Sequence, residues 1–250
     1  MTEQIVTKPK EWNVSRQFGP YMNRAVLPDD VLDAMIKMSD DIIGDKTTES
    51  HGQSLAGIIE KELRLYKSNM IEYGVDTFLE SCVRSFVNEC LKIQTETLKL
   101  KILSQVNAAW IVSQYENEYN PIHSHSNAEI SGIIYLKVPN LKGRRKIESK
   151  KHMMDRDGNI NFTYNSASNR WPTDILDGGG LEFFPNVGEM YMFPSFLEHT
   201  VYPFIGEGER RSIAFNAVYT VLDENGKFKY GRPAEHKMFR THYLEGKPNK

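Results

Sequence analysis

The sequence predicts an α+β protein in which N-terminal helices pack on one face of a β-sandwich of jelly-roll type. Apolar residues repeat at helical spacing up to residue 97 and switch to strand alternation from residue 99 onward. Clusters of Gly, Pro and Asn punctuate the second half: Pro139-Asn140, Asp177-Gly-Gly-Gly180, Pro185-Asn-Val-Gly188 and Gly206-Glu-Gly208. Helices first and strands afterwards is the element order of an α+β fold.

Residues 1–26 read as an irregular or extended lead-in anchored by Trp12, Phe18 and Tyr21. Leu27-Pro-Asp-Asp opens a helix. Pro28 suits a first turn because the N–H it lacks would be unpaired there, and acids favour the positive end of the helix. Leu32, Met35, Ile36, Ile42 and Ile43 form its apolar face, and Gly44 stops it. Residues 45–53 are a polar loop, and 55–65 reads equally as a short helix or a strand. Val75, Phe78, Leu79, Cys82, Val83, Phe86 and Cys90 predict one long helix over 69–97. Val106, Ala108, Trp110 and Val112 then alternate as a half-buried strand does. Further strand-like runs fall at 129–138, 159–164, 180–184, 188–193, 199–204 and 211–221. These stripes are core-packing signals. The domain organisation expected is a helical support region over 1–98, a β core over 99–225 carrying an insert at 141–179, and a tail over 226–250. All of it forms one compact domain. In the insert, Lys142, Arg144, Arg145, Lys146, Lys150 and Lys151 face only Glu148. Such a run reads as a solvated hairpin, and its location suits a substrate lid.

The chain has 250 residues, 40% hydrophobic and 26% charged, with a formal net charge of −2. That balance gives no argument for nucleic acid or a membrane surface as partner. Cys82 and Cys90 lie two helical turns apart, about 12 Å, too far for a disulfide. With no signal peptide and no long apolar span, a cytoplasmic location is the expectation. Whether the chain forms a homo-oligomer is left open by the sequence.

The chemistry concentrates in three places. His123-Ser-His125 puts two imidazoles on one face of a strand, about 7 Å apart, able to converge if the strand bends. His199 ends Met190-Tyr-Met-Phe-Pro194-Ser-Phe-Leu-Glu198, a strand and turn, and can supply a third ligand from a neighbouring strand. Three protein ligands on one side leave open positions for substrate and O2 on a metal such as Fe(II). Arg210 and Ser212 share one strand face, and a guanidinium beside a hydroxyl suits a bidentate carboxylate. Tyr135 has the parity to add its hydroxyl to that anion site.

These residues resemble the Fe(II)- and 2-oxoglutarate-dependent oxygenases, specifically a bacterial and phage branch akin to the prolyl hydroxylases. The resemblance runs from Asn107 to Tyr219. It rests on Trp110 and Tyr115, on Pro121-Ile-His123-Ser-His125, and on Ser131-Gly-Ile-Ile-Tyr135-Leu-Lys-Val-Pro139. It continues through Gly180-Leu-Glu-Phe-Phe-Pro185, Phe193-Pro-Ser-Phe-Leu-Glu-His199 and Glu209-Arg210-Arg-Ser212-Ile-Ala-Phe-Asn216. The resemblance implies a double-stranded β-helix, His123 and His199 as iron ligands, and Arg210, Ser212 and Tyr135 around the distal carboxylate of 2-oxoglutarate. Trp110, Phe193 and Asn216 would line the substrate side. It also implies oxidative decarboxylation to succinate and CO2, coupled to hydroxylation of a C–H bond by O2. The usual acid of a His-x-Asp motif is replaced here by His125. Either His125 ligates and gives a three-histidine site, or Glu129 completes the triad.

Two other readings fit part of the pattern. His123-x-His125-x-x-x-Glu129 followed by Gly188-x5-Pro194-x4-His199 also has the ligand order of a cupin-type metalloenzyme without 2-oxoglutarate, for which Arg210 would be unnecessary. A non-catalytic β-sandwich binding module would need neither. The substrate, small molecule or peptide, is not written in the chain, because a fold does not fix a reaction.

Overall fold

A computed structural model describes residues 9–16, 19–141, 156–164 and 180–233. The basic run 142–151, most of the 141–179 insert, Phe18 and the tail beyond 233 lie outside the described residues. In chain order the first elements are β1 (Glu11–Arg16), β2 (Tyr21–Val26), α1 (Asp29–Gly44), a 3-10 turn (Gly52–Ser54) and β3 (Lys61–Arg64). Helices α2 (Lys67–Glu72), α3 (Asp76–Cys90) and α4 (Lys92–Leu98) follow. Then come β4 (Lys101–Gln114), β5 (Asn120–His123), β6 (Ile130–Lys137), β7 (Ile160–Thr163), β8 (Gly180–Phe183) and β9 (Glu189–Pro194). The last strands are β10 (Glu198–Val201), β11 (Arg210–Leu222) and β12 (Phe228–Gly231).

The strands form two antiparallel sheets. The large one runs β1-β2-β9-β6-β11-β4-β3, with β12 added on β11, and the small one runs β5-β10-β7-β8. This is the double-stranded β-helix with helices against the large sheet. β6 shows why its sequence is continuously apolar: residues 130–136 are all buried, because the strand is central and covered on both faces. One apolar cluster lies between the large sheet and the helices and contains Met35, Met38, Phe78, Val83, Phe86, Ile111, Ile134, Ile213 and Phe215. The other lies between the two sheets and contains Ile133, Tyr135, Ile160, Phe162, Tyr191, Phe193 and Val201.

The N-terminal elements differ from expectation in instructive ways. The extended lead-in is a hairpin, with Glu11 opposite Val26 and Arg16 opposite Tyr21, and β2 extends the large sheet through β9. The buried line of α1 is Val31, Met35, Met38 and Ile42, while Leu32, Ile36 and Ile43 pack at its margins. The single helix expected over 69–97 is three helices. Gly74 sits at φ 72, a left-handed conformation that separates α2 from α3, and α4 ends where Lys99 takes φ 47. The ambiguous stretch 55–65 yields β3, which pairs with β4 from Lys61 opposite Ser113 to Arg64 opposite Trp110. Cys82 and Cys90 are both free thiols. No helix among the described residues is long and apolar enough to cross a membrane.

Candidate metal and carboxylate site

His123 and His199 face each other in register from the adjacent strands β5 and β10. Their ring centroids are 4.3 Å apart. His125 does not share the strand. The chain leaves β5 after His123, and the His125 N–H donates to the Ser195 carbonyl at 2.9 Å instead of joining the ladder. That departure brings the third ring in, stacked on His199 at 5.1 Å and 6°. One potential ligand atom from each histidine lies within 4.8 Å of the others.

The tautomers are fixed from behind. His123 Nδ1 lies 2.7 Å from the Pro121 carbonyl, and His199 Nδ1 lies 2.9 Å from the Leu197 carbonyl. An Nδ1–H donating to a carbonyl leaves the Nε2 lone pair free, which is the form that binds a cation. His125 Nε2 is 3.3 Å from His199 Nε2. Two nitrogens each about 2.0–2.1 Å from one ion sit roughly 3.0–3.4 Å apart, so the spacing fits a shared metal. Burial first, then the neighbouring His123, lowers the His125 imidazole to about 4 and His199 to about 3, so both rings are neutral at pH 7, the form able to bind a cation. Phe193 and Phe162 pack beside His199, at 4.9 and 5.7 Å between ring centroids, and keep that side dry.

Beneath the histidines lies a buried cation that no acidic side chain among the described residues pairs with. Arg210 is 1% exposed, and its Nη1 donates to Gln114 Oε1 at 3.1 Å. Its Nε and Nη2, the Tyr135 hydroxyl and the Ser212 Oγ are all buried without a hydrogen-bond partner. The guanidinium lies 4.9 Å over the Tyr135 ring, and Tyr135 and Ser212 are register partners on β6 and β11. Desolvation lowers the Arg210 pKa. Orphaned donors around a buried cation are costly unless an anion arrives. The donor set therefore fits a carboxylate, as 2-oxoglutarate provides.

His123, His125, His199, Arg210 and Ser212 line one inner cavity of ≈ 50 Å³, which also touches Trp110, Ser131 and Glu62. An outer cleft of ≈ 370 Å³ continues from it, lined by His51, Asn107, Trp110, His123, His125 and Asn216 among others. Trp110 stacks on His125 at 5.8 Å and 24°. The Asn216 side chain approaches the His125 ring and accepts a hydrogen bond from Ser131 Oγ at 2.8 Å. Every proposed ligand, anion-binding and substrate-side residue thus borders this space or its floor. Glu129 does not join the three-histidine cluster. Its carboxylate pairs with Arg232, and it lines another cavity, which His125 also borders, beside Phe86 and Tyr219.

Sequence reasoning did not find Gln114, Asn107 or Glu62. Asn107 faces the cleft because a β-bulge interrupts the β4–β11 register between Asn216 and Ala217. Glu62 depends on the pairing of β3, and no local pattern announces it.

Residues 108–216 match the family model described as "Putative 2OG-Fe(II) oxygenase". No curated protein matches the sequence. Solved structures similar to this chain include a 2OG-Fe(II) oxygenase family oxidoreductase from Burkholderia pseudomallei, at 12% identity and TM-score 0.48, covering 83% of this chain and 88% of that one. A Pseudomonas putida prolyl-4-hydroxylase aligns at 14% identity and TM-score 0.46, over 82% and 91% of the two chains. HygX from Streptomyces hygroscopicus, crystallised with nickel, 2-oxoglutarate and hygromycin B, aligns at 10% identity and TM-score 0.45, over 78% and 82%. The family match spans Trp110, the three histidines, Tyr135, Arg210, Ser212 and Asn216, so the part of this chain that is similar to the 2OG-Fe(II) oxygenases is the part that carries the site.

Proposed function

We propose that the protein is an Fe(II)- and 2-oxoglutarate-dependent dioxygenase that hydroxylates a C–H bond of its substrate, with His123, His125 and His199 as the iron ligands. The observation that carries the reading is the buried Arg210 with its unpartnered Nε and Nη2, in the same cavity as three converging imidazoles. Fe(II) held by the three histidines would supply the oxidising chemistry, with 2-oxoglutarate and O2 as cosubstrates and succinate and CO2 as coproducts.

The chain's own contribution is binding, orientation and exclusion of water. The backbone carbonyls of Pro121 and Leu197 hold two imidazoles with Nε2 presented. Arg210 takes the distal carboxylate of 2-oxoglutarate through Nε and Nη2, and Ser212 and Tyr135 donate their hydroxyls to the same group. Gln114 keeps the guanidinium plane in place through Nη1. Trp110 and Asn216 shape the side from which substrate reaches the metal. A three-imidazole set carries one negative charge fewer than a set with a carboxylate, so the site binds the anionic cosubstrate with less repulsion.

Titration of 2-oxoglutarate into the Mn(II)-loaded protein tests the reading. Saturable binding is expected for the wild type, weakened at least 100-fold in Arg210→Ala, on the scale of two lost charge-assisted hydrogen bonds at about 1.5–3 kcal/mol each. Equal affinity in both proteins would overturn the assignment and favour a metalloenzyme that does not use the keto acid.

A further inference from the structure

The oxygenase chemistry leaves one buried carboxylate in the cavity without a task. Glu62 stands on β3 opposite Val112 of β4, is 2% exposed, and lines the inner cavity. The two spaces share Leu55, Ala56, Trp110, His123 and His125. No hydrogen bond or ion pair to the Glu62 carboxylate is found among the described residues. Apart from the histidines, Glu62 and Arg210 are the charged side chains among the described residues lining either space. Arg210 lies at the floor, where it suits the keto acid.

A second acceptor stands beside Glu62. A Cβ added to Gly57 would lie 3.0 Å from Glu62 Oε1 and 2.2 Å from Asn120 Oδ1. Both oxygens therefore approach the same glycine, and the missing side chain leaves them facing shared space. Farther out, Asn107 Oδ1 is buried with no partner, while its amide nitrogen donates to the Asn127 carbonyl at 3.1 Å. The wall thus collects hydrogen-bond acceptors, one of them ionisable, and among the described residues no Lys or Arg other than Arg210 lines either space. Buried charge is normally compensated, and here the space in front is left for a ligand to do so.

We propose that Glu62 anchors the substrate, and that the substrate presents a positively charged nitrogen, an alkylammonium or guanidinium. Its N–H groups donate to the Glu62 carboxylate and the Asn120 side-chain oxygen. This inference rests on the oxygenase reading, which gives Arg210 to 2-oxoglutarate and leaves Glu62 for the substrate. The cavity then has an anion site at Arg210 and a cation site at Glu62 and Asn120. Burial and the nearby Glu118 raise the Glu62 carboxyl to about 7, and an arriving cation offsets both effects.

Ligand-observed NMR titrations with n-butylammonium, n-butylguanidinium and n-butanol test it, run at pH 8 with and without Zn(II) and 2-oxoglutarate. Both cations are expected to bind at least about tenfold tighter than the alcohol, on the scale of one charge-assisted hydrogen bond. Intermolecular NOEs from the butyl chain to the methyl groups of Leu55 and Ala56 are expected in the wild type. In folded Glu62→Gln the preference for cations should fall to about twofold or less. Cations and alcohol binding equally to the wild type, cation binding without those NOEs, or a preference that survives in Glu62→Gln would each overturn the proposal. The wild-type comparison and the NOEs decide the matter even if Glu62→Gln fails to fold. A failure of 2-oxoglutarate to load counts against the oxygenase reading, and is scored separately from the cation titration.

Discussion

Arg210 and Arg211 are neighbours in the chain and leave β11 through opposite faces. Arg211 reaches α1, where Nη1 donates to Ser39 Oγ at 2.9 Å and Asp40 Oδ1 at 2.6 Å, while Nε donates to Glu209 Oε1 at 2.7 Å. Arg210 turns inward, where Nη1 donates to the Gln114 side chain and the guanidinium lies over the Tyr135 ring. One guanidinium ties the sheet to its helix, and the other borders the inner cavity.

Opposite stability effects follow from that division. Arg211→Ala leaves Glu209 half-buried with only the more distant Lys137 at 4.0 Å, and is expected to cost about 3 kcal/mol. Arg210→Met removes an uncompensated buried charge and should leave the melting temperature unchanged or raised, while 2-oxoglutarate binding is lost. Thermal denaturation of the two variants reads this directly. A large loss of stability in Arg210→Met would show that the side chain is a structural group and not a waiting ligand site.

Metal should stabilise the fold through the three histidines alone. At a free concentration about 100 times Kd, a bound ion adds about 2.7 kcal/mol, or roughly 5–10 °C for a chain of this size. Mn(II) is expected to raise the wild-type melting temperature by that amount, and EDTA to reverse it. His123→Ala, His125→Ala and His199→Ala should each abolish the shift. Glu129→Gln should keep it, because Glu129 is paired with Arg232 and stands apart from the cluster. A shift that survives in His125→Ala and vanishes in Glu129→Gln would hand the third position to the carboxylate.

Much of this site could be read in the sequence, because strand alternation carries it. Arg210 and Ser212 share a face for that reason, and His123 and His199 come from strands whose patterns are strong. His125 was found for the wrong geometric reason. Period-two alternation placed it on the strand with His123, yet it converges because the chain leaves the strand. Glu62 was hidden because residues 55–65 read equally as a short helix or a strand. Only pairing with β4 reveals that its odd-looking acid faces inward, and pairing between residues fifty apart leaves no local trace. The helices show the same limit. Apolar spacing alone predicted one helix over 69–97, and the left-handed Gly74 broke it.

Gly132 is a packing requirement of the same central strand. A Cβ there would lie 2.3 Å from the Phe215 ring, which is fully buried and opposite it on β11. Gly132→Ala is expected to destabilise by about 1–3 kcal/mol, the usual range for forcing a methyl group into a packed core. Urea denaturation measures this, and a neutral result would mean that Phe215 has room to move.

Glu62 makes the stability of the wild type depend on pH in a distinctive direction. Its carboxyl is raised from an ordinary 4.5 to about 7, by burial first and then by Glu118. Glu118 is itself held in place by the backbone N–H groups of Glu60 and Tyr115, at 2.9 and 2.7 Å. Between those two pH values the folded protein binds the proton more tightly than the unfolded chain. The stabilising contribution is therefore whole below pH 4.5 and is lost as pH rises through 7. The slope is about 1.4 kcal/mol per pH unit within that window. Gln at this position has no such term. The melting temperature of Glu62→Gln relative to the wild type should rise steadily from pH 4.5 to 7 and then level off. Scanning calorimetry of both proteins across that range checks it, and a difference that stays flat would mean the carboxylate already has a cation or water to meet its charge.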